Sequence, residues 1–473
     1  MKLEYVGSGT SYMRLSNPSL HDRPEIIALV NKMFHHFFDD QPGHTFSLLY
    51  NAWAESNFGP RLSNFKESMH QLHADSGGLQ MVTLAHKIPK GTDMNTLREA
   101  VYQDQSKWAD VGMCFDEIPV QVITTIDPLT GKVKGSDRND TTNRWFDRSN
   151  RHKYAKQTAE NIKRQIEVFK ATNSKCKPFM ICQGGDLKTY LEWIDTILET
   201  VPKEDHSRIG GVAMGGAGLG TGPLEDIQKA FFASQVPVRD ENGKLHLHIL
   251  GVGAVSRMIP YLIFLQNGMY GDVHISYDST THTRAVETGL YYMLGELVRG
   301  EFVAGEGKTL KYDRAKADDN ALPGMAEPGE FVPTPEYYAM FDDIKKYWPL
   351  SMTLEKLHEV LNTPSIPYLE QYKQLDEWYE GRTALCLASI KNFMYQIEKY
   401  THDKKALIKL ADKKYPVGAA EALYKVKDVE SFNAWMKDWE DKFKKKKQTQ
   451  SIKHEKPLGP ATLPTQTTQE EVA

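Results

Sequence analysis

The chain contains few cysteines, and their spacing argues against two common kinds of structural site. Only four cysteines occur among 473 residues, and none of them belongs to a CxxC pair. Disulfide frameworks and most structural zinc sites are built from closely spaced cysteines. We therefore expect neither a disulfide framework nor a zinc site of the usual spacing.

Long apolar runs and an excess of positive charge are also missing. No segment approaches the roughly 18 apolar residues of a membrane span, and the start of the chain, MKLEYVGSGTSY, lacks a signal-peptide core. The formal net charge is −4, so any binding of nucleic acid would depend on local basic patches. We therefore expect a cytoplasmic protein without a membrane partner.

Short apolar segments recur along the chain, and each ends in a carboxylate, an amide or glycines. These segments are HADSGG (73–78), MCFDE (113–117), FMICQGG (179–185), VAMGGAGLG (212–220), LHLHILGVG (245–253) and VHISYDS (273–279). Helix-like stretches separate them, and this alternation predicts an α/β fold with a parallel sheet. The number of units favours a (β/α)8 barrel over an open sheet.

The segment 271–289, GDVHISYDSTTHTRAVETG, carries the strongest candidate for a reacting group. Apolar and polar residues alternate up to Asp278, as they do in a strand. Catalytic groups of α/β barrels lie at the carboxyl ends of the strands, which is where this carboxylate is expected. The structural alternative is that Asp278 opens a turn and caps the next helix.

Composition divides the chain into three parts. Residues 1–300 carry the strand pattern, interrupted by a polar insertion near 121–152 in which basic residues surround Trp145 and Phe146. Such interleaving suits a nucleic-acid backbone with stacked bases, and a solvated loop is the alternative. Residues 301–447 are predicted to be mostly helical, and 448–473 have the composition of a disordered tail.

One group of histidines near the start of the chain resembles a metal cluster only superficially. His35, His36 and His44 lie close in sequence to Asp39. Adjacent histidines on a helix point to different faces, so we interpret these residues as packed or solvated.

Taken in order, the six segments resemble the tRNA-guanine transglycosylase family over roughly residues 65–295. Within that superfamily the sequence is most similar to the phage and bacterial branch that inserts 7-deazaguanines into DNA, the DpdA-type enzymes. The resemblance implies exchange of guanine in DNA for a base such as preQ0, by double displacement and without a cofactor. It also implies a role in protecting phage DNA from restriction in the host cytoplasm.

The resemblance assigns roles to individual residues. Asp278 matches the nucleophile and Asp75 matches the general acid/base. Base recognition falls to the residues that would line the pocket, namely Asp116, Gln183, Gly215, Gly216, Leu250, Ser76 and Gly77. Thr283 and Arg284 match the pair that contacts the nucleic acid.

Two departures from the family pattern affect the expected substrate. The cysteine-rich zinc motif that follows the barrel in the tRNA enzymes is absent, so we predict no bound metal and no zinc subdomain. Glu287 stands near a position where the family usually has a further arginine, which argues against the usual tRNA contacts. The alternatives are a tRNA-guanine transglycosylase, a hydrolytic glycosylase, and a non-catalytic barrel subunit that binds RNA.

Overall fold

The computed structural model describes most of the chain, with gaps. The described residues are 2–41, 43–55, 57–78, 88, 91–122, 125–126, 133–134, 144–146, 150–216, 222–298, 301–312, 331–362 and 375–454.

Eight parallel strands form a closed barrel, which confirms the predicted fold class. The strands are β1 (Lys2–Gly7), β2 (His44–Asn51), β3 (Leu72–Asp75), β4 (Val111–Met113), β5 (Lys177–Cys182), β6 (Gly211–Met214), β7 (Leu245–Ile249) and β8 (Val273–Ser279). Each strand pairs with the next one along the chain, and β1 pairs in parallel with both β2 and β8. The first and last strands therefore close the barrel.

Helices connect the strands and continue beyond the barrel. They are α1 (Pro18–His21), α2 (Pro24–Phe38), α3 (Phe58–Leu62), α4 (Met94–Trp108), α5 (Arg151–Ala171), α6 (Leu187–Thr200), α7 (Pro223–Ser234), α8 (Val255–Gln266), α9 (Ala285–Thr288), α10 (Pro335–Tyr347), α11 (Leu354–Asn362), α12 (Leu375–His402), α13 (Lys404–Lys414), α14 (Ala419–Leu423) and α15 (Val429–His454). Within the described ranges, no helix is both long and apolar enough to cross a membrane.

Local sequence signals explain where the connecting helices begin. α2 starts with a proline in its first turn, where the missing N–H costs no hydrogen bond. α6 starts with a capping box, in which the Asp186 side chain accepts from the Thr189 N–H and the Thr189 hydroxyl lies near the Asp186 N–H.

Side chains alternate between the inside and the outside of the barrel along each strand. In β8, Tyr277 points outward and packs its ring 6.2 Å from Phe393 of α12. Asp278 points inward, with a carboxylate oxygen 3.4 Å from His248 Nε2 of β7. The interior is polar at several levels, because Glu4, His73, His248 and Ser276 are all buried there.

The helix that covers the barrel closure comes from far along the chain. After β8 the chain forms an antiparallel hairpin, β9 (Leu290–Val298) and β10 (Glu301–Lys311). α12 then packs against α2 and α8, the helices that flank the β1–β8 closure. Phe393 of α12 contacts the rings of Tyr5, Tyr277 and His282. α12 thus takes the place of the eighth barrel helix.

The chain forms two compact units, Met1–Leu407 and Ile408–Ala473. The first unit extends past the change of composition near residue 300, because α12 is part of the barrel wall. In the second unit, Trp435 of α15 donates a hydrogen bond to the carbonyl of Ala419. α15 continues to His454, past the expected start of the tail at residue 448. Residues 455–473 lie outside the described part.

The polar insertion is described only in part. Strands Val120–Val122 and Arg144–Phe146 form one antiparallel pair, and Thr125–Ile126 and Val133–Lys134 form another. The intervening basic residues Lys132, Arg138 and Arg148 lie outside the described residues. The prediction that the insertion contacts nucleic acid stays a prediction.

Candidate active site

The carboxyl ends of all eight strands contribute a residue to one ring at the end of the barrel. In chain order, the ring residues are Ser8, Asn51, Asp75, Asp116, Gln183, Gly215, Leu250 and Asp278. Six of them are residues that the sequence singled out. In parallel barrels this end of the strands holds the active site.

Asp278 is held as a carboxylate by three groups from neighbouring strands. Its Oδ2 accepts a hydrogen bond from the Ser8 hydroxyl at 3.2 Å, and its Oδ1 accepts one from the Gly251 N–H at 2.7 Å. His248 Nε2 lies 3.4 Å from Oδ1. Burial alone would raise the pKa of Asp278, but the contacts with His248, Gly251 and Ser8 outweigh it and lower the pKa below its ordinary value.

Asp75 has the opposite electrostatic character. Burial and the negative charge of Asp278 raise the pKa of Asp75 to about 6, although the N–H groups of Ser76 and Gly77 oppose the shift. Asn51 Nδ2 lies 3.4 Å from its Oδ2. Asp75 can therefore gain and release a proton near neutral pH, which a general acid/base requires.

Asp116 and Gln183 form a buried pair beside Asp75. Gln183 Nε2 donates to Asp116 Oδ2 at 2.9 Å. Burial raises the pKa of Asp116 to about 7, with the charge of Asp75 adding to the shift and the bond from Gln183 opposing it. Gly215 lies against Gln183 so closely that any side chain at 215 would collide with the amide. Gly215 therefore makes room for the amide, and the pair can present hydrogen-bonding groups to a polar ring.

The turn after Asp75 requires glycine. Gly77 has a φ of +83°, a conformation that side chains rarely adopt, and a Cβ there would press on Asn51 and Trp53. Ser76 is fully buried, and its hydroxyl oxygen accepts a hydrogen bond from the Gly78 N–H at 3.3 Å. These residues hold Asp75 in place and border the ring.

The two residues assigned to nucleic-acid contact differ in their exposure. Arg284 is exposed, and its guanidinium carbon lies 5.8 Å from the centre of the Tyr12 ring. Thr283 is fully buried, and its hydroxyl donates to the Ser8 carbonyl at 2.6 Å. Thr283 therefore supports the turn beneath Arg284, whereas the Arg284 side chain faces solvent.

The remaining predicted residues border the ring. Leu250 is half-buried in the turn after β7, and Gly251 of the same turn contacts Asp278. Gly216 lies against the ammonium group of Lys229 on α7, where a Cβ would collide with it. Burial lowers the pKa of Lys229, partly offset by Asp226.

Five residues of the site were not identified from the sequence: Ser8, Asn51, Lys229, His248 and Gly251. His248 carries a usable signal, because it lies two residues before Leu250 and faces the same side of the strand. Ser8 lies between Gly7 and Gly9 directly after β1, and Asn51 is the last residue of β2; neither strand was recognised from the sequence. Lys229 lies within a helix, and only its packing against Gly216 connects it to the site.

Glu287, the departure from the family pattern, has a structural role. Its carboxylate binds Arg382 of α12 at 2.5 Å and lies 3.9 Å from the guanidinium of Arg14. Arg382 is only 2% exposed in its side chain, so it needs an anionic partner. The acidic residue therefore helps to attach α12 to the barrel.

Comparisons with known proteins leave the family open. No family model matches the chain, and no curated protein matches it. Among solved structures, the chain is similar to the tryptophan synthase alpha chain from Legionella pneumophila subsp. pneumophila, with 9% identity, a TM-score of 0.31, and coverage of 60% of this chain and 82% of that one. A likeness this weak carries no argument about function.

The raised pKa of Asp116 predicts how stability changes with pH. The folded protein keeps a proton on Asp116 up to about pH 7, whereas the unfolded chain releases it near pH 4, so this residue's contribution to stability falls as the pH rises between those values. Asp116→Asn cannot ionise. We therefore compare the free energy of unfolding of the variant with that of the wild type. The difference, variant minus wild type, should be larger at pH 8 than at pH 5 by on the order of 1–3 kcal/mol.

Urea denaturation at the two pH values measures this difference. Asp195→Asn, on the exposed face of α6, is the matched control. The difference between its free energy of unfolding and that of the wild type should be the same at pH 5 and at pH 8. An Asp116→Asn variant whose relative stability is the same at pH 5 and pH 8 would show that Asp116 is not protonated in the folded protein.

Proposed function

We propose that this protein is a guanine transglycosylase that replaces guanine in DNA with a 7-deazaguanine base such as preQ0. The observation that carries the proposal is the contrast between two neighbouring carboxyl groups. The pKa of Asp278 is lowered, so this group is ionised, whereas the pKa of Asp75 is raised to about 6. Base exchange needs one carboxylate that attacks carbon and one carboxyl group that moves a proton.

In the first displacement, Asp278 attacks C1′ of the target deoxyribose and the bond from C1′ to the guanine nitrogen breaks. Asp75 gives its proton to the departing base. The transition state resembles an oxocarbenium ion, which the carboxylate stabilises before it forms an ester bond to C1′. His248, Ser8 and the Gly251 N–H hold the attacking carboxylate in place.

In the second displacement, a 7-deazaguanine takes the place of guanine. The carboxylate of Asp75 accepts the proton from its ring nitrogen, that nitrogen attacks C1′, and the ester to Asp278 breaks. Two displacements at one carbon retain the configuration, as in retaining glycosidases. No external cofactor is needed, because the bond that breaks and the bond that forms are of the same type.

The pair formed by Asp116 and Gln183 would recognise the base. The target base must leave the helical stack to reach C1′ in this ring, and flipped bases are read through hydrogen bonds to their edges. Gln183 has an amide and Asp116 a carboxyl group with a pKa of about 7, so together they can donate and accept. Gly215 leaves room for the Gln183 amide itself, and Leu250 offers an apolar surface for the base.

The choice of DNA rests on the family resemblance and on the position of Glu287. An acidic residue paired to Arg382 cannot make the phosphate contact of an arginine. Arg284 stays exposed and is available for a phosphate. A scaffold that only binds RNA would gain nothing from three carboxyl groups in one ring, one of them buried and two half-buried, because their removal from water costs stability. Such base replacement would protect phage DNA from restriction in the host cytoplasm.

An exchange assay tests the proposed function. Protein is incubated with radiolabelled guanine or preQ0 and with duplex DNA, single-stranded DNA or tRNA. We expect label in DNA, and a rate at least about 10³-fold lower for Asp278→Asn, because that amide cannot attack C1′. Asp195→Asn should exchange at the wild-type rate. Label confined to tRNA would refute the DNA substrate, and abasic product without label would identify a hydrolase.

A second experiment tests the role of His248. His248→Gln removes the imidazole that opposes the effect of burial on Asp278. The pKa of Asp278 should rise, so the exchange rate should fall more at pH 6, where a smaller fraction of the group is ionised, than at pH 8. His246→Gln is the matched control, because it lies two residues earlier on β7 and binds Asp240. A fall in rate that is equal at both pH values would contradict this role.

A further inference from the structure

A second polar cluster lies at the opposite end of the barrel from the ring. Glu4 is in β1, His274 is the second residue of β8, and His70 lies two residues before β3. One possible ligand atom from each of these side chains lies within 4.8 Å of the other two. Two imidazoles and one carboxylate therefore converge at the amino-terminal end of the strands.

Two polar atoms of this cluster are buried without hydrogen bonds. Glu4 is fully buried, and its Oε1 is bonded to His73 Nε2 at 3.0 Å and to the Ser47 hydroxyl. Its Oε2 and His274 Nε2 have no hydrogen-bond partner. These two atoms lie 3.0 Å apart, so they face each other without the alignment of a hydrogen bond. A buried carboxylate oxygen left in this state is costly.

We propose that Glu4, His70 and His274 bind a divalent first-row transition metal ion, with zinc as the best fit. An ion between Glu4 and His274 would satisfy both unpaired atoms at once. Imidazole nitrogens favour zinc and its neighbours over magnesium and calcium, which prefer oxygen ligands. Three protein ligands leave one position of a tetrahedral site for water. His70 is exposed, so the ion can enter from solvent.

Lys2 is the competitor for this site. Its ammonium nitrogen lies 3.1 Å from His70 Nε2, so in the metal-free protein the lysine donates to a ring nitrogen of one proposed ligand. Replacement of Lys2 by alanine should therefore tighten metal binding, an effect that a merely structural cluster would not show.

The bound ion would join the two strands that close the barrel. Glu4 and His274 lie on β1 and β8, and His70 fixes the start of β3. Binding to the folded state alone would raise the thermal midpoint of unfolding. This site differs in ligands and place from the cysteine zinc motif that the sequence lacks, and it departs from our sequence-based prediction of no metal.

Titration of the full-length, metal-stripped protein tests the proposal. Zn²⁺ binding is followed by calorimetry, and Co²⁺ binding by its visible absorption. We expect the wild type to bind one equivalent of Zn²⁺ with a micromolar or lower Kd. In His70→Ala the affinity should be at least about 100-fold weaker, because the loss of a ligand weakens metal binding more than the loss of a supporting contact does. His70 is exposed, so this variant should fold. Lys2→Ala should bind more tightly than the wild type.

His35→Ala is the matched control. His35 is also exposed and lies 3.1 Å from a carboxylate oxygen of Asp39, so it offers an incidental two-ligand site. This variant should bind zinc as the wild type does, and both should gain thermal stability that His70→Ala does not gain. Absence of saturable binding, or equal binding by the wild type and His70→Ala, would overturn the proposal. Neither outcome depends on transglycosylase activity.

Discussion

The pairing of β1 with β8 is the constraint on which the rest of the structure depends. Six residues of β1, from Lys2 to Gly7, are in register with His274 to Ser279. This pairing places Ser8 next to Asp278 and Glu4 next to His274, although each pair is separated by about 270 residues. It also creates the surface that α12 covers through Phe393.

Because side chains alternate along a strand, every second residue of β8 faces the inside of the barrel, and several of these residues are polar. In β8, His274, Ser276 and Asp278 all face inward, one above the other. Ser276 lies 2.9 Å from His248 Nδ1, and the other nitrogen of that ring faces Asp278. Apolar side chains fill most barrel interiors. Here polar side chains share the interior with apolar ones, and their contacts give each carboxyl group its own electrostatic surroundings.

Burial then separates the roles of the carboxyl groups. Asp278 contacts the His248 imidazole and its pKa is lowered, whereas Asp75 and Asp116 accept hydrogen bonds from neutral amides and their pKa values are raised to about 6 and about 7. The closeness of Asp278 contributes to the shift of Asp75. Two carboxyl groups with different pKa values therefore lie in a single ring, and this difference suits the proposed two-step exchange, in which one group attacks carbon and the other transfers a proton.

The sequence predicted the barrel and the part of the ring that lies in recognisable strand exits. Asp75, Asp116, Gln183, Gly215, Leu250 and Asp278 follow short apolar segments that end in polar or glycine residues, a local signal. Ser8, between two glycines, and Asn51, at the end of β2, have a similar local signal, but the first two strands were not recognised from the sequence, and the closed barrel is what brings these residues to the ring. The same applies to α12, whose position depends on packing.

The histidines show the same limit of sequence reasoning. His44, close in sequence to Asp39, instead packs outside the barrel and bonds the Tyr277 hydroxyl at 2.7 Å. The interpretation of this residue as packed is confirmed. The cluster of Glu4, His70 and His274 was not predicted from the sequence. Glu4 is in β1, His274 is in β8 and His70 lies just before β3, so the three residues are far apart in sequence. Spacing along the chain carries no sign of such a site.

The central claim is that Asp278 forms a covalent bond to the sugar of the nucleic acid. Acid quenching of the protein with a guanine-containing DNA oligonucleotide, followed by proteolysis and mass spectrometry, tests it most directly. We predict a peptide containing Asp278 that carries a base-free deoxyribose, absent when the oligonucleotide lacks guanine. The account would be contradicted if the protein exchanges labelled base into DNA while the adduct is found on another residue, or while no adduct is found.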